Sequence, residues 1–310
     1  MPKAVTVTLN PAIDRTIVLD SLVRGRLNRS RIVRVDPGGK GINVARVARR
    51  LGVDVRAAGL LPAGGGELIK SCLEHENIPF EFVEAPGEVR CNLKIVEADG
   101  AQTEINEPGP EAPAAAGGKV LKGLATMVEP GDVVVLAGSL PQGLEPDFYA
   151  RLVDVLNARG VSTILDTDGE PLRFGVYARP ALVKPNRHEA SELLGRALDD
   201  MQSVLLAAED IRSMGAKMTV ISLGSEGAIL VSPQKRLWAA APSVEVKGTV
   251  GSGDAMVAGL VWGMLHGSDP ETMLKLATAA GTASASTLGT AGCSAEDIRG
   301  FERRVAIQSF

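Results

Sequence analysis

Apolar residues recur along the chain with two periods that alternate. Residues 5–9 mix β-branched and small side chains and run into Asn10-Pro11, which predicts a strand ending in a turn. From Gly41 onward, Ile42, Val44, Ala45, Ala48 and Leu51 fall at helical spacing, and the run stops at Gly52 as a C-terminal cap. The extended segment 53–61 follows at once. Further on, helices are expected near 67–76, 146–159 and 188–194, with extended pieces at 80–83, 92–96, 133–137, 162–166 and 218–223. Helices alternating with continuous apolar strands form the pattern of a parallel sheet covered on both faces.

Two stretches depart from that rhythm. Residues 16–35 and 88–107 read as short, more polar extended segments, predicting a small antiparallel β-sheet that stands off the main body as a lid. Residues 108–118, PGPEAPAAAGG, read as a turn-rich connector. No repeat of solenoid period is visible, and residues 1–310 are read as one domain.

Composition narrows the classes. Glycine fills 35 of 310 positions while aromatics make up 3 %, which favours tight turns over the stacking platforms that hold single-stranded nucleic acid. A formal charge of −4 supplies no net positive field for nucleic acid or anionic lipid. Cys72, Cys91 and Cys293 are widely separated, without CxxC spacing, which argues against a disulfide scaffold and a structural zinc site. The chain's start lacks a basic-then-apolar signal pattern, and the longest apolar stretch, 255–265, falls short of the ~18 residues of a membrane span. The expectation is a soluble cytoplasmic protein with neither nucleic-acid nor membrane partners.

Candidate chemistry begins at TVGSGD, residues 249–254, a glycine turn opening an apolar helix. Free N–H groups and the positive helix end there make an anion site, although such turns also open purely structural helices. A dinucleotide GxGxxG would need glycine at Met256, and Walker A fails because Gly41, not Ser or Thr, follows Lys40. A carboxylate beside a phosphate repels it, so Asp254 is better explained by proton abstraction from an attacking hydroxyl than by binding. A capping aspartate is the plainer alternative. In DPGGKGIN, residues 36–43, the glycines let backbone approach a ligand, and Lys40 and Asn43 offer donors. Asp14, just after the first strand, adds an acceptor for two sugar hydroxyls; its plainer role is that of a turn residue.

These segments resemble, in order, the motifs of the ribokinase-type (PfkB) sugar kinases: GGKGINVARVARRLG at 38–52, LAGSLPQGL at 136–144, VKPNRHE at 183–189, VISLGSEGA at 220–228 and TVGSGDAMVAGL at 249–260. TLNPAID, GSLPQG and TEINEPGP (103–110) are most similar to members acting on phosphorylated ketohexoses. The resemblance implies an α/β, ribokinase-like three-layer fold, a parallel-sheet core with a small antiparallel β lid. It implies ATP-dependent phosphorylation of a ketohexose phosphate, fructose 1-phosphate before tagatose 6-phosphate or fructose 6-phosphate. Asp254 is the implied general base, with the N–H groups of Gly251, Ser252 and Gly253 as the anion hole. Asp14, Gly38, Gly39 and Asn43 are the implied sugar contacts. Arg90 and Arg26, with Lys40 and Ser139, are the groups expected at the phosphate already on the sugar. Lys184, Asn186, Ser222, Gly224, Gly227 and Thr249, together with Gly251 and Gly253, match ATP-binding positions, and Glu189 of the NxxE pattern is implied to organise Mg²⁺. Gly248 stands where members dependent on a monovalent cation commonly carry aspartate, so K⁺ activation is not expected. A homodimer through the lid is expected, because a small sheet with one apolar face needs a partner. Two readings from other classes remain open at this point, a non-catalytic sugar-phosphate sensor on the same fold and a dinucleotide-dependent oxidoreductase.

Overall fold

Five buried residues, AVTVT, form the first strand, and a strand with no polar face belongs inside a sheet covered on both sides. The computed structural model describes residues 2–287, 289 and 291–310. In chain order the elements are β1 (Ala4–Thr8), β2 (Ala12–Leu19), β3 (Ile32–Gly38), α1 (Lys40–Arg50), β4 (Val55–Gly64), α2 (Glu67–His75), β5 (Phe80–Glu88), β6 (Arg90–Glu97) and β7 (Gln102–Asn106). Then follow α3 (Ala114–Met127), β8 (Val133–Ala137), α4 (Phe148–Asn157), β9 (Ser162–Asp166), α5 (Gly169–Tyr177), β10 (Leu182–Val183), α6 (Arg187–Leu194), α7 (Met201–Met214) and β11 (Met218–Ser222). The last are β12 (Ala228–Val231), β13 (Arg236–Ala240), α8 (Ser252–Leu265), α9 (Pro270–Ala285), α10 (Ala295–Glu302) and β14 (Ala306–Ser309).

The large sheet has the order β14-β13-β12-β11-β10-β9-β8-β1-β4-β5. From β5 to β11 all pairings are parallel. Beyond β11 the sheet continues antiparallel through β12, β13 and β14, because short turns rather than helices make the first two of these connections. Alternate side chains feed two cores. Along β8, Val133, Val135 and Ala137 join a core shared with α1, α2, α8, α9 and α10, whereas Val134 and Leu136 join one shared with α3, α4, α5, α6 and α7. Helix α8 is nearly all apolar because it lies beneath α9. A Cβ on Gly259 would stand 2.6 Å from Cα of Ala277, so glycine there lets the two helices touch backbone to backbone.

The connector expected at 108–118 stops at Pro113, after which α3 begins at Ala114. Gly117 and Gly118 look like helix breakers, yet Gly117 is where Phe148 packs against the helix: a Cβ would approach the ring to 2.8 Å. The second, four-stranded sheet has the order β3-β2-β6-β7. Its outer pairings, β2 with β3 and β6 with β7, are antiparallel hairpins, and its central pairing, β2 with β6, is parallel. The reason is topological. Both β2 and β6 leave the C-terminal edge of the parallel strands β1 and β5, so they travel outward in the same direction and each returns by its own hairpin. Among the described residues no helix is long and apolar enough to cross a membrane.

Candidate active site

Parallel strands deliver their C-terminal ends to one edge of the sheet, and the polar residues just beyond them meet there. β9 ends on Asp166, which is 1 % exposed, and β10 leads directly into Lys184, which is 3 % exposed. Lys184 Nζ stands 3.3 Å from Asp166 Oδ1. Lys40, at the start of α1, reaches the same oxygen with its Nζ at 3.3 Å and lies 3.8 Å from Glu189 Oε1. Burial pushes the Asp166 carboxyl up, but the charges and hydrogen bonds of Lys184 and Lys40 outweigh it and hold it below the usual carboxylate range. The other oxygen, Oδ2, is buried without a hydrogen-bond partner among the described residues.

Asp254 occupies the first turn of α8, behind Gly251 with φ of 81°. No side chain caps this helix, so the carboxylate is not spent as an N-cap. It instead receives a hydrogen bond from Asn43 Nδ2 to Oδ2 at 2.8 Å, both groups being buried. Burial, and then the negative charge of Asp166, push its carboxyl up to about 6, against the pull of Lys40, Asn43 and Lys184. Of the three N–H groups expected to form an anion hole, that of Ser252 donates to Thr249 O at 3.2 Å. The backbone at Gly253 lies beside the Lys184 ammonium, which would sit 3.5 Å from a Cβ placed there.

The small sheet brings a second group of residues over this edge. Asp14 on β2 accepts a hydrogen bond from Asn92 Nδ2 at 2.9 Å and packs on Gly38, where a Cβ would come to 2.5 Å of Asp14 Oδ2. Burial raises the Asp14 carboxyl, Asn92 and Arg90 oppose, and the charges of Asp36 and Glu104 add to the rise. Gly39 has φ of 117°, a backbone suited to glycine, and joins β3 to α1. Arg90 is engaged with the backbone: its Nη2 donates to Asn10 O at 3.2 Å and its Nη1 to Glu107 O at 3.0 Å. Asn10 in turn donates to Ser139 Oγ at 3.2 Å and to Pro108 O at 3.0 Å, which ties Ser139 to the entrance of the small sheet. Arg26 lies apart from these residues, exposed in the loop between β2 and β3 at the sheet's far end.

On the other side, Asn186 and Glu189 form a reciprocal capping box at the start of α6. Glu189 N–H donates to Asn186 Oδ1 and Asn186 N–H to Glu189 Oε2, both at 2.8 Å. NxxE is therefore also a local helix-start signal, and Glu189 retains Oε1 facing Lys40. Asn186 bridges in parallel to Ser222, and Ser222 N–H donates to Pro185 O at 3.1 Å. Gly224, with φ of 59°, and Gly227, with φ of 96°, turn the chain between β11 and β12; a Cβ on Gly227 would overlap the carbonyl oxygen of Ala239. Thr249 is exposed just before the α8 turn.

Sequence reasoning passed over Asp166, to which both lysines turn. Its signal is a lone carboxylate at the C-terminal end of an apolar run, STILD, at the sheet edge where ligands bind.

A buried carboxylate at a helix start, facing two lysines across the ends of parallel strands and roofed by a second sheet bearing hydroxyl acceptors, describes an enzyme that moves a phosphoryl group to an alcohol. The family model for pfkB family carbohydrate kinases matches residues 7–297. The chain belongs to this family and is an ATP-dependent sugar kinase, which sets aside the readings as a sensor and as an oxidoreductase. It is 41 % identical over 283 residues to a 1-phosphofructokinase of Xanthomonas campestris pv. campestris, covering 89 % of each chain. It is 34 % identical to the 1-phosphofructokinase of Escherichia coli K12, covering 99 % of both. Among solved structures it superposes on phosphofructokinase-2 from Escherichia coli in complex with potassium with a TM-score of 0.90, at 33 % identity, covering 98 % of this chain and 99 % of that one.

Proposed function

We propose that the enzyme transfers the γ-phosphoryl of ATP to the free terminal hydroxyl of a ketohexose phosphate, fructose 1-phosphate first, giving fructose 1,6-bisphosphate. The observation that carries this reading is the pairing of Asn43 with Asp254 beneath Asp14. It sets one deprotonatable carboxylate deep in the cleft and one hydroxyl acceptor above it. The similarity to 1-phosphofructokinases over nearly the whole chain favours fructose 1-phosphate over fructose 6-phosphate and tagatose 6-phosphate.

In this reading Asp14 and Asn92 orient the sugar, and Asn43 fixes the Asp254 carboxylate. Asp254 Oδ accepts the hydroxyl proton as the oxygen attacks phosphorus. The N–H groups of the glycine turn and the Lys40 and Lys184 ammonium groups offset the charge on the transferring phosphoryl. The donor set fits a magnesium ion: Asp166 Oδ2 is buried without a partner and Glu189 Oε1 is free of the capping box, so these two oxygens, directly or through water, would hold it. When bound, it supplies positive charge to the ATP phosphates. The small sheet acts as a lid whose closure excludes water. Its outward face carries Val35, 44 % exposed, and Ile105, 54 % exposed, and supports pairing of two lids in a cytoplasmic homodimer.

The test is Mg·ATP turnover, followed by ADP release, on fructose 1-phosphate, fructose 6-phosphate, tagatose 6-phosphate and fructose, with Asp254→Asn as control. The expected result is the highest kcat/KM on fructose 1-phosphate. Equal rates on phosphorylated and unphosphorylated sugar overturn the reading.

A further inference from the structure

Arg187, in VKPNRHE, and Glu226, in VISLGSEGA, stand among residues proposed for the nucleotide and its ion: Asn186 and Glu189 flank the first, Gly224 and Gly227 the second. The two residues are 39 apart in sequence, yet Arg187 Nη2 donates to Glu226 Oε1 at 2.8 Å. Beneath this pair the backbone already joins α6 to β11, since Asn186 bridges in parallel to Ser222 and Ser222 N–H donates to Pro185 O. Beyond Ser222 the chain leaves the sheet in the turn 223–227. That turn closes on itself through Leu223 N–H to Gly227 O at 2.8 Å and Gly227 N–H to Gly224 O at 3.1 Å.

Ser225 and Glu226 are exposed at the tip of the turn, whose internal bonds fix its shape but not its direction. Two contacts from outside supply the direction. Trp238 Nε1, on β13, donates to Glu226 O at 2.9 Å, and Arg187, on α6, takes the Glu226 carboxylate. Glu226 is therefore held by its main chain on one side and by its side chain on the other. The Arg187 side chain is 33 % exposed and its Nε is buried without a hydrogen-bond partner among the described residues, so packing fixes the guanidinium while its Nη2 edge meets the carboxylate.

We infer that Arg187 and Glu226 are positioning residues: they clamp the turn 223–227 to the first turn of α6 and so set the span of the cleft that receives the nucleotide. An ion pair this exposed adds little to stability, and its effect lies in placement. Asn186 and Glu189 cap the same helical turn from which Arg187 departs, and Glu189 Oε1 faces Lys40. A shift of the turn's tip therefore displaces Gly224 and Gly227 relative to the groups proposed for the ATP phosphates and Mg²⁺. The groups proposed for the sugar, Asp14, Asn92 and Asn43, sit on β2, β6 and α1, elements apart from the clamp.

The inference rests on the placement of the nucleotide proposed above. Arg187→Ala, Glu226→Ala, the double variant and Arg187→Lys are compared with the wild type in KM for Mg·ATP, KM for the preferred sugar and Tm. Each single loss is expected to raise KM for Mg·ATP about 3- to 5-fold, and the double variant no further than either single, because the two side chains act as one unit. Arg187→Lys recovers most of the loss, while KM for the sugar and Tm stay close to wild type. Single effects that add in the double variant, or equal losses on both substrates, overturn the clamp. Asn186→Ala separates the two levels of the argument. If it raises KM for Mg·ATP while Arg187→Ala and Glu226→Ala do not, the clamp alone falls; if none of the three raises it, the placement of the nucleotide falls, and the clamp with it.

Discussion

Asn43 and Asp254 are 211 residues apart in sequence, and the amide of the first donates to the carboxylate of the second at 2.8 Å. The bond joins the first turns of α1 and α8 and holds the carboxylate that the proposed mechanism uses as base. Asp254→Asn is expected to lower kcat about 10²- to 10⁴-fold with little change in KM for ATP. Steady-state kinetics on the preferred sugar checks it, and a variant retaining wild-type kcat removes Asp254 as base.

The same carboxyl, pushed up to about 6, sets the acid limb of activity. The base acts deprotonated, so kcat/KM is expected to fall tenfold per pH unit below about pH 6 and to level off above it. Stability runs the opposite way. A carboxyl whose folded pKa is raised disfavours the folded state once it ionises, so at pH 7 to 8 Asp254→Asn is expected to melt higher than wild type. The difference corresponds to about 3 kcal/mol and disappears below about pH 4. Melting curves at pH 4 and 8 check the gain at high pH and its loss at low pH.

Asp166 is the reverse case, since Lys184 and Lys40 keep its folded pKa low. Its stabilising effect is present above the unfolded value of about 3.9 and is lost as pH falls through the lower folded value. Asp166→Asn leaves the buried Lys184 ammonium without its counter-charge. It is expected to cost roughly 3 kcal/mol at pH 7, read as a fall in Tm. An unchanged Tm shows that the lysines find other partners.

Glu189 combines a cap and a carboxylate oxygen that faces Lys40 outside the capping box, and two substitutions separate them. Glu189→Gln can still accept from Asn186 N–H, so Tm is expected to hold while the Mg²⁺ concentration for half-maximal rate rises several-fold. Glu189→Ala also loses the capping box and about 1 kcal/mol of stability. Equal Mg²⁺ requirements in wild type and Glu189→Gln assign the residue to the helix alone.

Proposed pairing of two lids through their apolar faces makes Ile105 a sensitive position. Ile105→Asp is expected to sediment as a monomer at micromolar concentration where the wild type sediments as a dimer. A wild type that is monomeric under those conditions removes the lid as an interface.

Much of the core was legible because a fully buried parallel strand is written as an unbroken apolar run, as 133–137 is for β8; the expected piece 162–166 coincides with β9. Glycine was the misleading letter. Gly117 falls in the connector expected over 108–118, whereas it thins α3 so that Phe148 can pack. The glycine-marked site segments, 38–43 and 249–254, were visible because close backbone approach restricts residue choice to glycine. Asp166 carries no such mark. Its pairing with two lysines arises from which strand ends adjoin in space, and a single chain does not spell that out. The parallel pairing of β2 with β6 is of the same kind, fixed by the shared edge from which both strands depart.

β1 stands between β4 and β8, so its β8 flank is filled only after Val133 has been made. Until then a fully buried, valine-rich strand presents an open ladder of backbone donors and acceptors. The β1–β8 pairing thus joins residues 129 apart in the chain, the kind of separation that slows folding and leaves strands open to intermolecular pairing. The residues that close this ladder precede in the chain the glycine turn at 249–254 that carries the proposed base.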